Sequence, residues 1–305
     1  MSVSSRLDRA FQNAPVLPLT NRSRYVLMSD CHRGIGNSSD NFLKNQHLYF
    51  AALEHYYRQG FTYIELGDGD ELWENRSMKN IIDIHNNVFW LFKQFQQEDR
   101  LYLLYGNHDI VKRKKGYPAK SCGTFFCTQS QQMQPLFPSL TFYEGIILST
   151  DLVQDSRSHV SLYLTHGHQA SLLNSTFWPL SRFLVRYIWR PLENLGILDP
   201  TSAAKNYHIK SNCEIRLDQW AQENHHILIT GHTHRPILPT EPAHYYNTGS
   251  CVHPRCITCI EIERGLITLV KWSMNARSDS TLYVARDVIS GPVPLARLQA
   301  ARITE

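Results

Sequence analysis

LYGNHDIV, residues 104–111, ends a run of apolar strand-forming residues on a glycine and then sets Asn, His and Asp side by side. A Gly-Asn pair is ordinary turn chemistry. Three polar groups at the mouth of a sheet are also what a reactive site needs, and the rest of the chain separates the two readings. The strand before them is RLYLLYG (100–106). Upstream, RYVLMSD (24–30) and TYIELGD (62–68) are strands of the same kind, each closing on an aspartate. Between them, NFLKNQHLYFAALEHYYRQG (41–60) and SMKNIIDIHNNVFWLFKQFQQ (77–97) carry helical periodicity, the first ending at Gly60. Strand, helix, strand, helix, strand is the order of parallel βαβ units, and the class is α/β.

After residue 138 the texture changes. LTFYEGIILST, HVSLYLTHG, HHILITGH, HYYNTGS and RCITCIEIERGLITLVKW are strand-like pieces with short turns, implying a second, mixed or antiparallel sheet. A helical stretch at about 169–223 interrupts it. The expected organisation is an N-terminal arm over 1–22, a main domain over 23–274 that contains the helical insertion, and a C-terminal tail over 275–305 with one weak strand, TLYVAR.

A chain of 305 residues that is 42% hydrophobic can bury a substantial core, which removes disorder as the default. Its 31 basic and 27 acidic residues leave a net charge of +4, too mild to imply a nucleic-acid partner, and no basic, aromatic-rich surface stands out. No apolar run approaches the ~18 residues of a membrane span, and residues 1–19 lack a secretory core. Seven scattered cysteines fit reduced intracellular thiols. The expectation is a cytoplasmic protein.

Each early strand ends on a metal-competent group: Asp30 and His32, then Asp68, then Asn107 and His108. Strand C-termini are where ligand sites form in open α/β sheets. His232-x-His234 follows the strand HHILIT, and His166 follows HVSLYLT. Two carboxylates, one amide oxygen and four imidazoles form a mixed N/O donor set suited to manganese, iron or zinc rather than calcium. Seven donors are too many for one tetrahedral ion. They suit two divalent transition-metal ions, manganese foremost, about 3.5–4 Å apart and sharing a carboxylate.

SDCH, LGDGDE, GNHD, THGH and GHTH, in that order over residues 29–234, resemble the five blocks of the calcineurin-like metallophosphoesterase superfamily. The resemblance implies a four-layer α/β/β/α sandwich with two mixed central sheets. It also implies that Asp30, His32 and His234 hold one ion, that Asn107, His166 and His232 hold the other, and that Asp68 bridges them. His108 would then face the leaving group as the acid, with Asp109 orienting its ring. His168 would line the site, and Glu71 would orient a ligand. A helical insertion at this point, and the residues Gly67, Asp68, Glu71 and Trp73, are similar to the UDP-2,3-diacylglucosamine pyrophosphohydrolase branch. That branch carries Arg where this chain has His108, which favours general phosphoesterase chemistry.

Arg33 could clamp a phosphate oxygen or serve in a plain surface or salt-bridge role. KRKK (112–115) could attract an anion, although charge runs are mostly solvated faces. Cys256-x-x-Cys259 has zinc spacing but lacks a second pair and alternates like a strand. In the insertion, Arg182, Arg186 and Arg190 form a basic stripe flanked by Trp178, Phe183, Tyr187 and Trp189. A lid with Arg186 and Trp189 on the substrate, a packing or dimer face, and a membrane-surface helix all fit this pattern.

The expected activity is hydrolysis of a phosphomonoester or phosphodiester of a small molecule by in-line attack of a metal-bridging hydroxide. A pyrophosphohydrolase acting on a nucleotide-sugar or lipid-linked substrate is the alternative, and a metal-binding scaffold is the non-enzymatic one. The oligomeric state stays open.

Overall fold

Where a loose arm was expected, the chain opens on a helix. In the computed structural model, which describes residues 2–37, 40–137, 139–150, 160–189 and 206–298, α1 (Val3–Gln12) is capped by the Ser2 side chain and buries Leu7. The following β1 (Val16–Pro18) is an edge strand. Arg6 Nε donates to the Gln169 carbonyl at 2.8 Å, tying α1 to a loop more than 160 residues away.

The expected βαβ succession follows as β2 (Arg24–Met28), α2 (Gln46–Arg58), β3 (Thr62–Leu66), α3 (Met78–Ile84), α4 (Asn86–Gln97) and β4 (Leu101–Leu104). The stretch expected as one helix over 77–97 is broken at His85. That ring is turned inward, 3.2 Å from Asp40 Oδ2, and both residues are buried. Asp40 also accepts from the Gly36 N–H, so the break braces the loop after β2.

Next come α5 (Tyr117–Cys122), the hairpin β5 (Thr124–Cys127) and β6 (Gln132–Pro135), β7 (Phe142–Tyr143), β8 (Gly145–Ser149) and β9 (Ser161–Thr165). The insertion contributes α6 (Leu172–Ser175), α7 (Trp178–Leu184), a π-helical turn (Val185–Trp189) and α8 (Tyr207–Glu223). Arg190 lies outside the described residues. The chain then forms β10 (Ile227–Thr230), β11 (Tyr245–Asn247), β12 (Cys256–Glu263), β13 (Leu266–Ala276), β14 (Leu282–Pro294) and α9 (Leu295–Leu298). Residues 282–294, expected as tail, pair along most of β13 and complete the larger sheet.

The strands form a seven-stranded sheet in the order β14-β13-β12-β2-β3-β4-β7 and a five-stranded sheet in the order β1-β8-β9-β10-β11. Both are mixed. The neighbours β2, β3 and β4 run parallel, as do β9, β10 and β11.

Three buried clusters show how the elements stack. Leu27, Ile64 and Leu104 of the larger sheet share one core with Leu148, Leu164 and Ile229 of the smaller. On the other face of the larger sheet, Val26 and Leu103 meet Leu53 of α2 and Phe92 of α4. On the other face of the smaller sheet, Leu228 meets Leu7 of α1 and Leu217 of α8. Alternation decides which neighbour goes to which core: Val26 and Leu27 are adjacent on a strand and point to opposite faces. Among the described residues, no helix is long and apolar enough to cross a membrane.

Candidate metal centre

The chain continues to pair beyond the ends of β2 and β3. Asp30 N donates to the Gly67 carbonyl, His32 N to Asp68 and Arg33 N to Gly69. The SDCH and GDGDE loops therefore run side by side at one sheet edge. Gly106 brings the third loop against them. A Cβ there would lie 2.2 Å from Asp68 Oδ1, so only glycine allows that approach.

Six of the seven sequence-expected ligands gather in two groups on this edge, and the seventh, Asn107, follows Gly106 in the third loop. Asp30, His32 and His234 form one group, and Asp68, His166 and His232 form a second; within each, one donor atom per residue lies within 4.8 Å of the others. In the first, His234 Nε2 is 3.1 Å from Asp30 Oδ1, and the Nε2 atoms of His32 and His234 are 3.4 Å apart. Donors ~2.0–2.1 Å from a tetrahedral ion sit roughly 3.4 Å apart, so these spacings fit one ion. Asp68 lies between the groups, with Oδ2 3.1 Å from His166 Nε2 and 3.9 Å from His32 Nε2.

Three buried atoms here have no hydrogen-bond partner: Asp30 Oδ1, Asn107 Oδ1 and His166 Nε2. Each such atom costs roughly 1–3 kcal/mol when left unsatisfied. Their other halves are occupied. Asp30 Oδ2 accepts from His232 N at 2.9 Å, and the His166 Nδ1–H donates to the Leu66 carbonyl at 2.8 Å. The orphans are thus the atoms a metal would take, and the donor set fits a cation of the mixed N/O class. The backbone adds a second sign. Of ten non-glycine residues with positive φ among the described residues, five are Asp30 (53°), His32 (48°), Asp68 (50°), His232 (69°) and His234 (56°). Such conformations cost roughly 1–3 kcal/mol each and persist where the surroundings over-determine them, which is typical of functional sites.

The charges agree. Burial alone pushes the Asp30 carboxyl up, but the facing His234 and His166 outweigh it and hold it well below the usual carboxylate range. Asp68 is likewise held low, by His166 and His108 against burial. Burial disfavours charge on His32, yet Glu71 and Asp68 raise it to about 10, and Asp68 and Asp30 raise His166 to about 9. His232, desolvated and beside His166, is pushed down to about 3. Asp30 and Asp68 are therefore held ionised among these rings.

Four expectations need correction. His108 does not rest on Asp109. Its Nδ1 lies 2.9 and 2.7 Å from the two Glu71 oxygens, and the ring stacks on Trp73 with centroids 4.3 Å apart. Asp109 instead accepts from Gly106 N at 2.7 Å and pairs with Lys112 at 2.6 Å. Arg33 is fully buried, bidentate to Glu65 and bonded to Asp70, so it has no reach to a phosphate. Lys112, the first residue of KRKK, is buried between Asp70 and Asp109 and is no surface charge. Arg186 donates to the carbonyls of Leu72, Trp73 and Asn75, so its guanidinium clamps the insertion onto the loop after Glu71.

The remaining residues fall as follows. Glu71 also accepts from His32 Nδ1 at 3.0 Å, so one carboxylate fixes two rings and leaves Nε2 of His32 facing the first group. His168 is buried beside His166, its Nδ1 without a partner. Trp189 is half-buried in the π-helical turn. Cys256 and Cys259 join no candidate metal group among the described residues. Two supports escaped the sequence. Asn174 of the insertion reaches His232 Nε2 at 3.4 Å, and Asn247 Nδ2 donates to the Gly231 carbonyl at 2.7 Å. Nothing local in NSTF marks Asn174, because its partner is 58 residues away.

No family model matches the sequence, and no curated protein is similar to it. Among solved structures, Vps29 of Chaetomium thermophilum is similar at 10% identity, covering 90% of this chain and 100% of that one, with a TM-score of 0.39.

Proposed function

We propose that the chain is a metal-dependent phosphoesterase that hydrolyses a phosphomonoester or phosphodiester of a small molecule at a dinuclear centre. The observation that carries this reading is Asp68, placed between two donor groups whose orphaned atoms have no other partner. Asp30, His32 and His234 would hold one ion, Asn107, His166 and His232 the other, and Asp68 both. Two divalent ions, manganese foremost with iron or zinc as alternatives, supply Lewis acidity when bound. The succession of helices, two sheets and helices is read as the metallophosphoesterase sandwich.

The chain's own residues then do the following. Asp68 Oδ1 accepts from the backbone N–H of His108 at 2.8 Å, which locks that residue to the centre. Glu71 holds His108 Nδ1, leaving Nε2 to carry a proton to the departing oxygen. Trp73 covers one face of the ring and fixes its plane.

The test is metal content followed by turnover. Purified protein loaded with manganese should carry close to two ions per chain and hydrolyse an aryl phosphate, and a chelator should abolish both. A protein that takes up two ions and turns over no phosphate ester would be the scaffold instead.

A further inference from the structure

A cavity of about 220 Å³ lies between the insertion and the loop after Glu71. Leu72, Met78, Val111 and Tyr117 give it apolar walls, and Arg76, Arg182 and Arg186 stand around it. None of these three guanidinium groups pairs with a carboxylate among the described residues. Arg76 donates to the Tyr187 hydroxyl at 2.6 Å, Arg182 lies over the Trp178 ring at 4.9 Å, and Arg186 holds backbone carbonyls. They are close enough to perturb one another: burial lowers the Arg186 pKa, and Arg182 and Arg76 lower it further. Elsewhere the buried or half-buried arginines Arg33 and Arg286 have carboxylate partners. Among the described residues, three like charges stand at this cavity with no carboxylate against them, an arrangement that suits an anion.

We propose that this cavity is a subsite for a second anionic group, a phosphate or carboxylate carried on an apolar body, remote from the group that reacts. It rests on the phosphoesterase reading for its link to the metal centre. The shared Leu72–Trp73 backbone is that link, since Trp73 covers His108 while Leu72 walls the cavity. Arg186 is already spent on the loop, which leaves Arg76 and Arg182 to meet the anion. A planar guanidinium presents paired donors to such a group. The favoured substrate then has two anionic ends, one at the metals and one here, with apolar atoms between them. A single small phosphate ester fills only half the site.

The experiment compares uncleavable ligands by calorimetry on manganese-loaded protein. The probes are hexylphosphonate and α,ω-alkane bisphosphonates with spacers of four to eight carbons. The best bisphosphonate should bind about tenfold or more tightly than hexylphosphonate, the gain expected of one added charge-assisted contact. In Arg76→Gln/Arg182→Gln, that ratio should fall close to one while two ions per chain and the circular dichroism spectrum are retained. Arg76→Gln alone, on an exposed side chain, should move the ratio in the same direction if the double variant does not fold. A bisphosphonate with no advantage, or an advantage unchanged in the variants, overturns the subsite. Failure of the phosphoesterase reading looks different: no turnover of aryl phosphate by the loaded protein, with the arginine-dependent bisphosphonate advantage intact.

Discussion

His108 turns its Nδ1 onto Glu71, 2.7 Å from the nearer oxygen, while its sequence neighbour Asp109 faces the other way onto Lys112. Adjacent residues after a strand point to opposite sides, so one of the pair serves the site and the other its support. His108→Ala is expected to slow hydrolysis of an alkyl phosphate by ~10²–10⁴-fold and of a p-nitrophenyl ester far less, because that leaving group departs as a stable anion. Glu71→Gln should reproduce this dependence on the leaving group at roughly 10–100-fold. Equal losses on both esters would mean that the histidine positions phosphate and donates no proton.

Arg33, Glu65, Asp70, Lys112 and Asp109 form a buried charge network beside the loops of the candidate centre. Removing one member leaves an uncompensated charge inside, at a cost of about 3–5 kcal/mol. Lys112→Met and Arg33→Met should therefore lower the melting temperature steeply, with little preference between leaving groups in whatever activity survives. Asp109→Asn belongs with them and not with His108→Ala. Thermal melts beside alkyl and aryl ester kinetics separate the two classes.

The five blocks could be read from the sequence because they resemble a known family's motifs and stand at strand ends that the apolar pattern exposes. Six of the seven expected ligands gather in two groups at one sheet edge. What stayed hidden depends on long-range partners. Arg33 looks like a phosphate clamp until Glu65 and Asp70 claim it. KRKK looks solvated until Lys112 is found buried against Asp109, one helical turn back. Residues 16–18 form an edge strand whose only neighbour, β8, lies far along the chain, and residues 282–294 form an edge strand on β13.

The His85–Asp40 contact makes a pH test independent of the metals. Burial pushes the Asp40 carboxyl up, but the His85 contact and the Gly36 N–H outweigh it, so its folded value is depressed. A depressed carboxylate stabilises the fold above its unfolded pKa, and that contribution is lost as pH falls through the folded value. Asp40→Asn should therefore lower stability at neutral pH and flatten the loss of stability below about pH 4, the ordinary carboxylate range. Denaturant melts of both proteins from pH 7 down to pH 3 check this. Parallel curves would show that Asp40 ionisation is not linked to folding.

Arg186 was expected to meet substrate, yet its hydrogen bonds run to Leu72, Trp73 and Asn75. Those carbonyls end the segment that presents Glu71 to His32 and His108. The insertion and the Glu71 loop are therefore fastened through this side chain as well as through the Arg76–Tyr187 hydrogen bond. Hydrogen bonds to a charged donor contribute roughly 1.5–3 kcal/mol. Arg186→Ala should release that much locally, so cleavage by a protease within residues 172–189 should quicken before global unfolding. Arg186→Lys should rescue little, since an ammonium cannot fork to carbonyls on separate residues. Because Trp73 loses its anchor, the alkyl phosphate rate should fall as well, and kcat should drop alongside any rise in KM. A change confined to KM would return Arg186 to substrate binding, and unaltered proteolysis would show that the insertion is held by its other contacts.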